Sequence, residues 1–328
     1  MTRRAGAILS IAIASLPLIS GCGSDSEAPA GAAGDRFPMT VDTCGREVTI
    51  ERPPERVMTV GAEAPALMWA VGAADKIKAR AATFGAIYEP AEEAFKDVPL
   101  ISPEEEPSRE VIIGQNPDLL LGYGLENTPV EDLNAVGITQ LTVSDQCDSQ
   151  ASDGPRLNRE VTFENYYRDL ELYGQIFGTQ DTARQAADKL KQRVAAVKER
   201  FRETPKRTAA ALIVYPTAVY VYGKPSITHT QIATLGLTDV FADVTDDRYV
   251  DLNVEQLLAR DPDVLILGYQ PGSTPEDAAA QLRALPGADR LTAIRDAHLI
   301  TVEGQSLVGG LGTIDGLEAM ADQLGAAR

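Results

Sequence analysis

Two rhythms of apolar and polar positions alternate along this chain. Short apolar runs at 56–60 (RVMTV), 119–121, 138–143, 209–215, 219–222, 264–267 and 299–302 read as buried strands. Between them the apolar spacing becomes helical. Pro65 suits the first turn of a helix running through Leu67, Met68 and Trp69, with Gly72 as its stop. Trp69 sits on the apolar face, which predicts a core position more readily than a ligand contact. From 181 to 201, Ala183, Ala187, Leu190, Val194, Val197 and Phe201 recur at alternating spacings of four and three, one stripe on one helix. Such a helix is about 30 Å long, enough to reach from one lobe to another. Strands alternating with helices predict parallel α/β units.

One pattern occurs twice. Ser108, Glu110, a short apolar helix and Pro117-Asp118 lead into the run at 119–121; Asn253, Glu255, a short apolar helix and Pro262-Asp263 lead into that at 264–267. Pro-Asp ends the helix and turns the chain into the strand. Each glutamate stands seven residues before its proline. The repeat flanks the long helix, so the expected fold is α/β with two similar lobes, each with a parallel-sheet core, joined by that helix.

The N-terminus adds an address. Arg3 and Arg4 precede an apolar stretch from 5 to 19, interrupted by Pro17 and too short to span a bilayer. It ends Ile19-Ser20-Gly21-Cys22, which resembles a bacterial lipobox and implies cleavage before Cys22 and a lipid on its thiol. The alternative is an ordinary export signal beside an incidental cysteine. Residues 23–36 are small and free of bulky apolar side chains, the composition of a flexible tether, which is set at 22–37. The expected divisions are a signal at 1–21, the tether at 22–37, lobes at 38–178 and 204–328, and the joining helix at 179–203. The protein is expected on the extracytoplasmic face of the cell membrane, held by its lipid.

Charge then excludes partners. Loss of Arg3 and Arg4 with the signal leaves 28 basic against 48 acidic residues, a net charge of −20. So acidic a protein will not bind nucleic acid electrostatically. With Cys22 lipidated, Cys44 and Cys147 remain; in an exported protein they are expected to pair, the alternative being two separate buried thiols.

Several segments together resemble the substrate-binding proteins of ABC importers for iron-siderophores, haem and vitamin B12, the class III periplasmic binding proteins. They are 44–50 (CGREVTI), 53–57 (PPERV), 70–77 (AVGAADKI), the two Pro-Asp repeats, Leu235-Gly236-Leu237 and 291–299 (LTAIRDAHL). The likeness covers nearly the whole mature chain and implies a rigid joining helix. It also implies a partner, an ABC permease dimer with its ATPase, whose arginines Glu110 and Glu255 would engage. Each glutamate alone would equally suit the positive end of a helix dipole.

A bilobed binder holds its ligand at loops after strand carboxyl ends. Those loops carry Glu63, Phe84, Tyr88 and Tyr123 in the first lobe, and Tyr222, Lys224, Arg248, Tyr249 and Tyr269 in the second, with Gln270 and Gln305 nearby. Tyrosine recurs, suiting a large flat ligand with polar atoms. Lys224 and Arg248 would neutralise an anionic chelate, or simply be solvated. The ligand expected first is a ferric siderophore, with cobalamin, haem or another cofactor-like molecule as alternatives. Two distant histidines, His229 and His298, give no metal set and no catalytic triad, so neither a protein-held metal, a resident cofactor nor enzyme activity is expected. A structural or adhesive surface lipoprotein is the remaining alternative.

Overall fold

The computed structural model of the protein describes residues 36–81, 88–103, 105–147, 160–215 and 218–326. A hairpin, β1 (Met39–Thr43) and β2 (Arg46–Ile50), opens it and buries Val41, Val48 and Ile50. There follow β3 (Val57–Val60), α1 (Glu63–Ala70), β4 (Ile77–Ala81), α2 (Glu89–Glu92), β5 (Leu100–Ser102), α3 (Arg109–Gln115), β6 (Leu119–Gly122), α4 (Val130–Asn134) and β7 (Thr139–Thr142). Strands β3 to β7 form one parallel sheet in the order β5-β4-β3-β6-β7.

Helices α5 (Phe163–Phe177) and α6 (Gln180–Arg200) come next. The second half comprises β8 (Thr208–Val214), β9 (Val219–Tyr222), α7 (Ile227–Thr234), β10 (Thr238–Asp239), β11 (Tyr249–Asp251), α8 (Val254–Arg260), β12 (Val264–Tyr269), α9 (Pro275–Ala284), α10 (Thr292–Arg295), β13 (Leu299–Glu303) and α11 (Gly312–Ala326). Its sheet runs β11-β9-β8-β12-β13, with β10 beside β8.

The second sheet departs from the expected all-parallel core. β8, β12 and β13 are parallel, whereas β9 runs antiparallel to both its neighbours, β8 and the edge strand β11. The cause is local. Val214 pairs with Val219, so four residues join β8 to β9, far fewer than a parallel crossover requires.

The apolar runs are explained by burial on both strand faces. Val57, Leu119 and Leu121 face one core, which extends over α1, α5, α6 and α11; Met58, Val60 and Leu120 face another, with Ile112 of α3 and Leu133 of α4. In the second sheet Ala209, Ala211, Ile213, Val264 and Ile266 join the same first core, while Ala210, Leu212, Val214, Leu265 and Leu267 pack with α8 and α9. One apolar core is therefore shared by both lobes. α6 packs on α1 at one side and on α7 and α11 at the other, and its stripe is buried as spaced, with Val194 partly so. Arg193 clamps α11, donating to Glu318 at 2.9 and 2.7 Å and to Asp315.

The repeat is also structural. α3 and α8 are both seven residues long, capped by the Ser108 and Asn253 side chains, and each ends at a left-handed non-glycine residue, Asn116 and Asp261. The two Pro-Asp aspartates then do the same job. Asp118 accepts the Glu55 and Arg56 N–H groups at 2.9 Å each, and Asp263 accepts the Thr208 N–H at 2.7 Å, so each carboxylate fixes the entry of its sheet's central strand.

Candidate ligand site

In each sheet the first strand lies centrally and the chain winds outward both ways, giving a switch point beside it. At the first, β3 and β6 approach so closely that a Cβ on Gly122 would lie 1.8 Å from the Val60 carbonyl oxygen. At the second, the chain opens into a cavity of about 1120 Å³.

Its wall comes mostly from the second sheet: Ile213 and Tyr215 from β8 and its end, Tyr220 and Tyr222 from β9, Arg248 and Tyr249 at the start of β11, then Gln270, Pro271, Gly304, Gln305 and Val308. The first lobe contributes Gln146. Among the described residues this wall carries one cation and no carboxylate.

The tyrosines form a continuous edge-to-face series. Ring centroids are 5.7 Å apart for Tyr215 and Tyr220, 6.3 Å for Tyr220 and Tyr249, and 6.5 Å for Tyr222 and Tyr249. Register explains it: Tyr249 pairs with Tyr222 across β11–β9, and Tyr220 lies two residues away on the same face. Tyr249 is 58% exposed, an uncovered aromatic surface at the cavity mouth. Burial raises the Tyr215 and Tyr222 phenols above their ordinary value, so both are neutral hydrogen-bonding groups at neutral pH.

The structure thus brings Tyr222, Arg248 and Tyr249 together, with Gln270 and Gln305, and adds Tyr215 and Tyr220, which the loop-based expectation missed. Two tyrosines two residues apart on a strand were the available signal. Other candidates stand elsewhere. Lys224 is exposed, outside the cavity wall. Tyr269 packs on the second sheet's outer core, Tyr123 on the first sheet's, and Tyr88 on Trp69, ring centroids 6.1 Å apart. Trp69 itself is 37% exposed rather than in the core. Phe84 and Cys22 lie outside the described residues.

Glu63 is buried at the start of α1, where desolvation, then the Asp145 charge, raises its carboxyl well above the usual range. Asp169 of α5, also buried, accepts the Ser144 N–H and hydroxyl at 3.0 Å each; its carboxyl is pushed up to about 7, chiefly by burial. Cys44 and Cys147 are disulfide-bonded, Cα atoms 5.1 Å apart. His229 of α7 places Nδ1 2.8 Å from Asp239, and neither lines the cavity. Among the described residues no group of three His, Cys, Asp or Glu side chains could hold a metal.

Residues 60–305 match the periplasmic binding protein family. The chain belongs to that family. A solved structure described as an ABC-type Fe3+-hydroxamate transport system from Saccharomonospora viridis is 34% identical, with a TM-score of 0.76 over 88% of this chain and 99% of that one. An ABC transporter substrate-binding lipoprotein of Bacillus subtilis, YvrC, is 22% identical over 99% of this chain and 98% of its own. A cobalamin-binding protein of Halobacterium salinarum is 24% identical over 81% of this chain and 68% of its own.

In this periplasmic binding protein Glu110 and Glu255 are both exposed, at the second position of α3 and α8. Each helix runs back along its sheet, which places both N-termini toward the strand carboxyl ends, where the cavity opens.

Proposed function

We propose that the protein is the substrate-binding component of an ABC importer and that it captures a ferric siderophore in the cavity beside β8, β9 and β11. The observation that carries this reading is the wall, four tyrosines and one arginine around about 1120 Å³. Phenol rings offer apolar faces to the organic shell of a chelate and hydroxyls to its oxygens. Arg248 suits a ligand rich in acceptor oxygens. Neutral phenols without carboxylates favour a chelate whose iron is already fully coordinated. The Saccharomonospora viridis likeness supports a hydroxamate; the Halobacterium salinarum relative supports cobalamin as the second reading, and haem follows.

Titration calorimetry with a ferric trihydroxamate, a ferric catecholate, haem and cobalamin tests this. One is expected to bind with sub-micromolar affinity, and Arg248→Ala or Tyr249→Ala to weaken it about tenfold, or about 1.4 kcal/mol, without altering the circular dichroism. Silence toward all four would remove the ligand class. Full affinity in both variants would place the ligand elsewhere.

The remaining parts serve delivery. A lipid on Cys22 and the tether at 22–37 hold the binder over its permease at high local concentration. Glu110 and Glu255 dock the two lobes on permease arginines, with the ATPase beyond. Glu110→Arg with Glu255→Arg is expected to abolish uptake in cells while leaving ligand affinity unchanged. Uptake at the normal rate would refute the docking role and favour a structural or adhesive lipoprotein.

A further inference from the structure

We propose that Asp145 is the positioning residue of the cleft: its turn, held by the Cys44–Cys147 disulfide, fastens Arg248 and the Gly310 loop to the first lobe and so fixes where the guanidinium stands. Three attachments make the turn a rigid reference. Cys147 closes it onto the β1–β2 hairpin. Ser144 donates twice to Asp169 of α5. Just before it, Thr142 N–H donates to the Thr43 hydroxyl at 2.8 Å, and that hydroxyl donates to Thr142 O at 3.1 Å.

From this reference Asp145, only 2% exposed, reaches the second half of the chain twice. Its carboxylate accepts the Gly310 N–H at 2.7 Å, and its main-chain carbonyl accepts from Arg248 Nη2. The loop is pressed against the turn. A Cβ on Gly309 would stand 2.7 Å from Asp145 Oδ2, and one on Gly310, whose φ is +74°, 3.1 Å from Glu63 Cγ. Gln146, the next residue, lines the cavity, as do Arg248 and Val308. The same turn therefore supplies a cavity side chain and holds two of the segments opposite. A buried residue whose carboxylate and main-chain carbonyl each take a partner from across the cleft sets the distance between its walls, and preorganised walls raise affinity by sparing the ordering cost of binding.

The affinity consequence rests on the binding role proposed above; the exchange consequence does not. Amide hydrogen exchange in the ligand-free protein reads the latch directly. Asp145→Ala is expected to speed exchange at Gly310 at least tenfold, with less than a twofold change at the centres of β3 and β12. Asp145→Asn keeps an acceptor oxygen for the Gly310 N–H and is expected to restore most of the protection. Calorimetry and stopped-flow with a ferric trihydroxamate should give at least tenfold weaker binding for Asp145→Ala, through faster dissociation. Unchanged exchange at Gly310, or acceleration spread equally over β3 and β12, would overturn the proposal. If Asp145→Ala does not fold, Asp145→Ser, whose shorter side chain gives up the carboxylate acceptor, decides it by the same comparison. If wild-type protein ignores the trihydroxamate, the ligand reading fails while exchange still decides the latch.

Discussion

Unfolding free energy is expected to fall by on the order of 4 kcal/mol between about pH 5 and about pH 8, and Glu63→Gln with Asp169→Asn to remove most of that fall. Burial raises Asp169 from 3.8 to about 7 and moves Glu63 in the same direction. An acid whose folded value lies above its unfolded one keeps its proton in the fold after the unfolded chain has lost it. Stability is then fullest below the unfolded value and is lost as pH rises toward the folded one. His229 adds to the same trend, since its bond to Asp239 raises its value and that stabilisation disappears as pH rises through it. Asp261 and Asp263 act oppositely. Bonds to Thr292 and Thr208 lower their values, so they lose stabilising charge only as pH falls into the acid range, and both are too exposed to contribute much. The maximum should therefore lie at mildly acidic pH. Glutamine and asparagine keep volume and an acceptor oxygen for Ser144, so the variant should overtake the parent above about pH 7. Urea unfolding at three pH values measures this; parallel curves for parent and variant would refute it.

The burial of those two carboxylates was not legible in the sequence. Glu63 reads as a ligand candidate on a loop rather than as a buried acid opening α1, and Asp169 follows Arg168 on α5 without any sign of burial. Their burial comes from elements far away in the chain, which no local pattern records. By contrast the repeat was legible, because caps, Pro-Asp and apolar runs are local signals whose chemistry does not depend on the rest of the fold. The stripe on α6 was legible for the same reason. Even there the sequence stopped short: Pro-Asp reads as a helix stop, while the aspartates also fix the central strands through Glu55, Arg56 and Thr208.

The site was half legible, and the missing half has one cause. Candidates were sought at loops after parallel strands, which is where Tyr123 and Tyr269 stand. The strands at 209–215 and 219–222 look alike in either direction, since direction is set by the turn between them. Once β9 is antiparallel, its face rather than its end meets the cavity, and Tyr220 joins Tyr222 there. Arg248 and Tyr249 arrive through the edge strand β11, which pairs antiparallel with β9.

Replacing both Cys44 and Cys147 by serine is expected to cost about 5 kcal/mol of stability, the chain-entropy value for a closed loop of this size, with less if the reduced chain stays compact. The bridge spans 103 residues and so constrains most of the first lobe in the unfolded chain. The folded state changes little by comparison. Without the bridge the hairpin still has Val41, Val48 and Ile50 in the core, and Thr43 still exchanges hydrogen bonds with Thr142. The loss should therefore arise mainly in the unfolded ensemble, which expands when the loop opens. That origin has its own signature: the denaturant slope should rise in the serine variant as the midpoint falls, because more surface is exposed on unfolding. A lower midpoint at unchanged slope would instead assign the loss to the folded state, and an unchanged midpoint would mean that the hairpin's own contacts already hold that edge of the sheet.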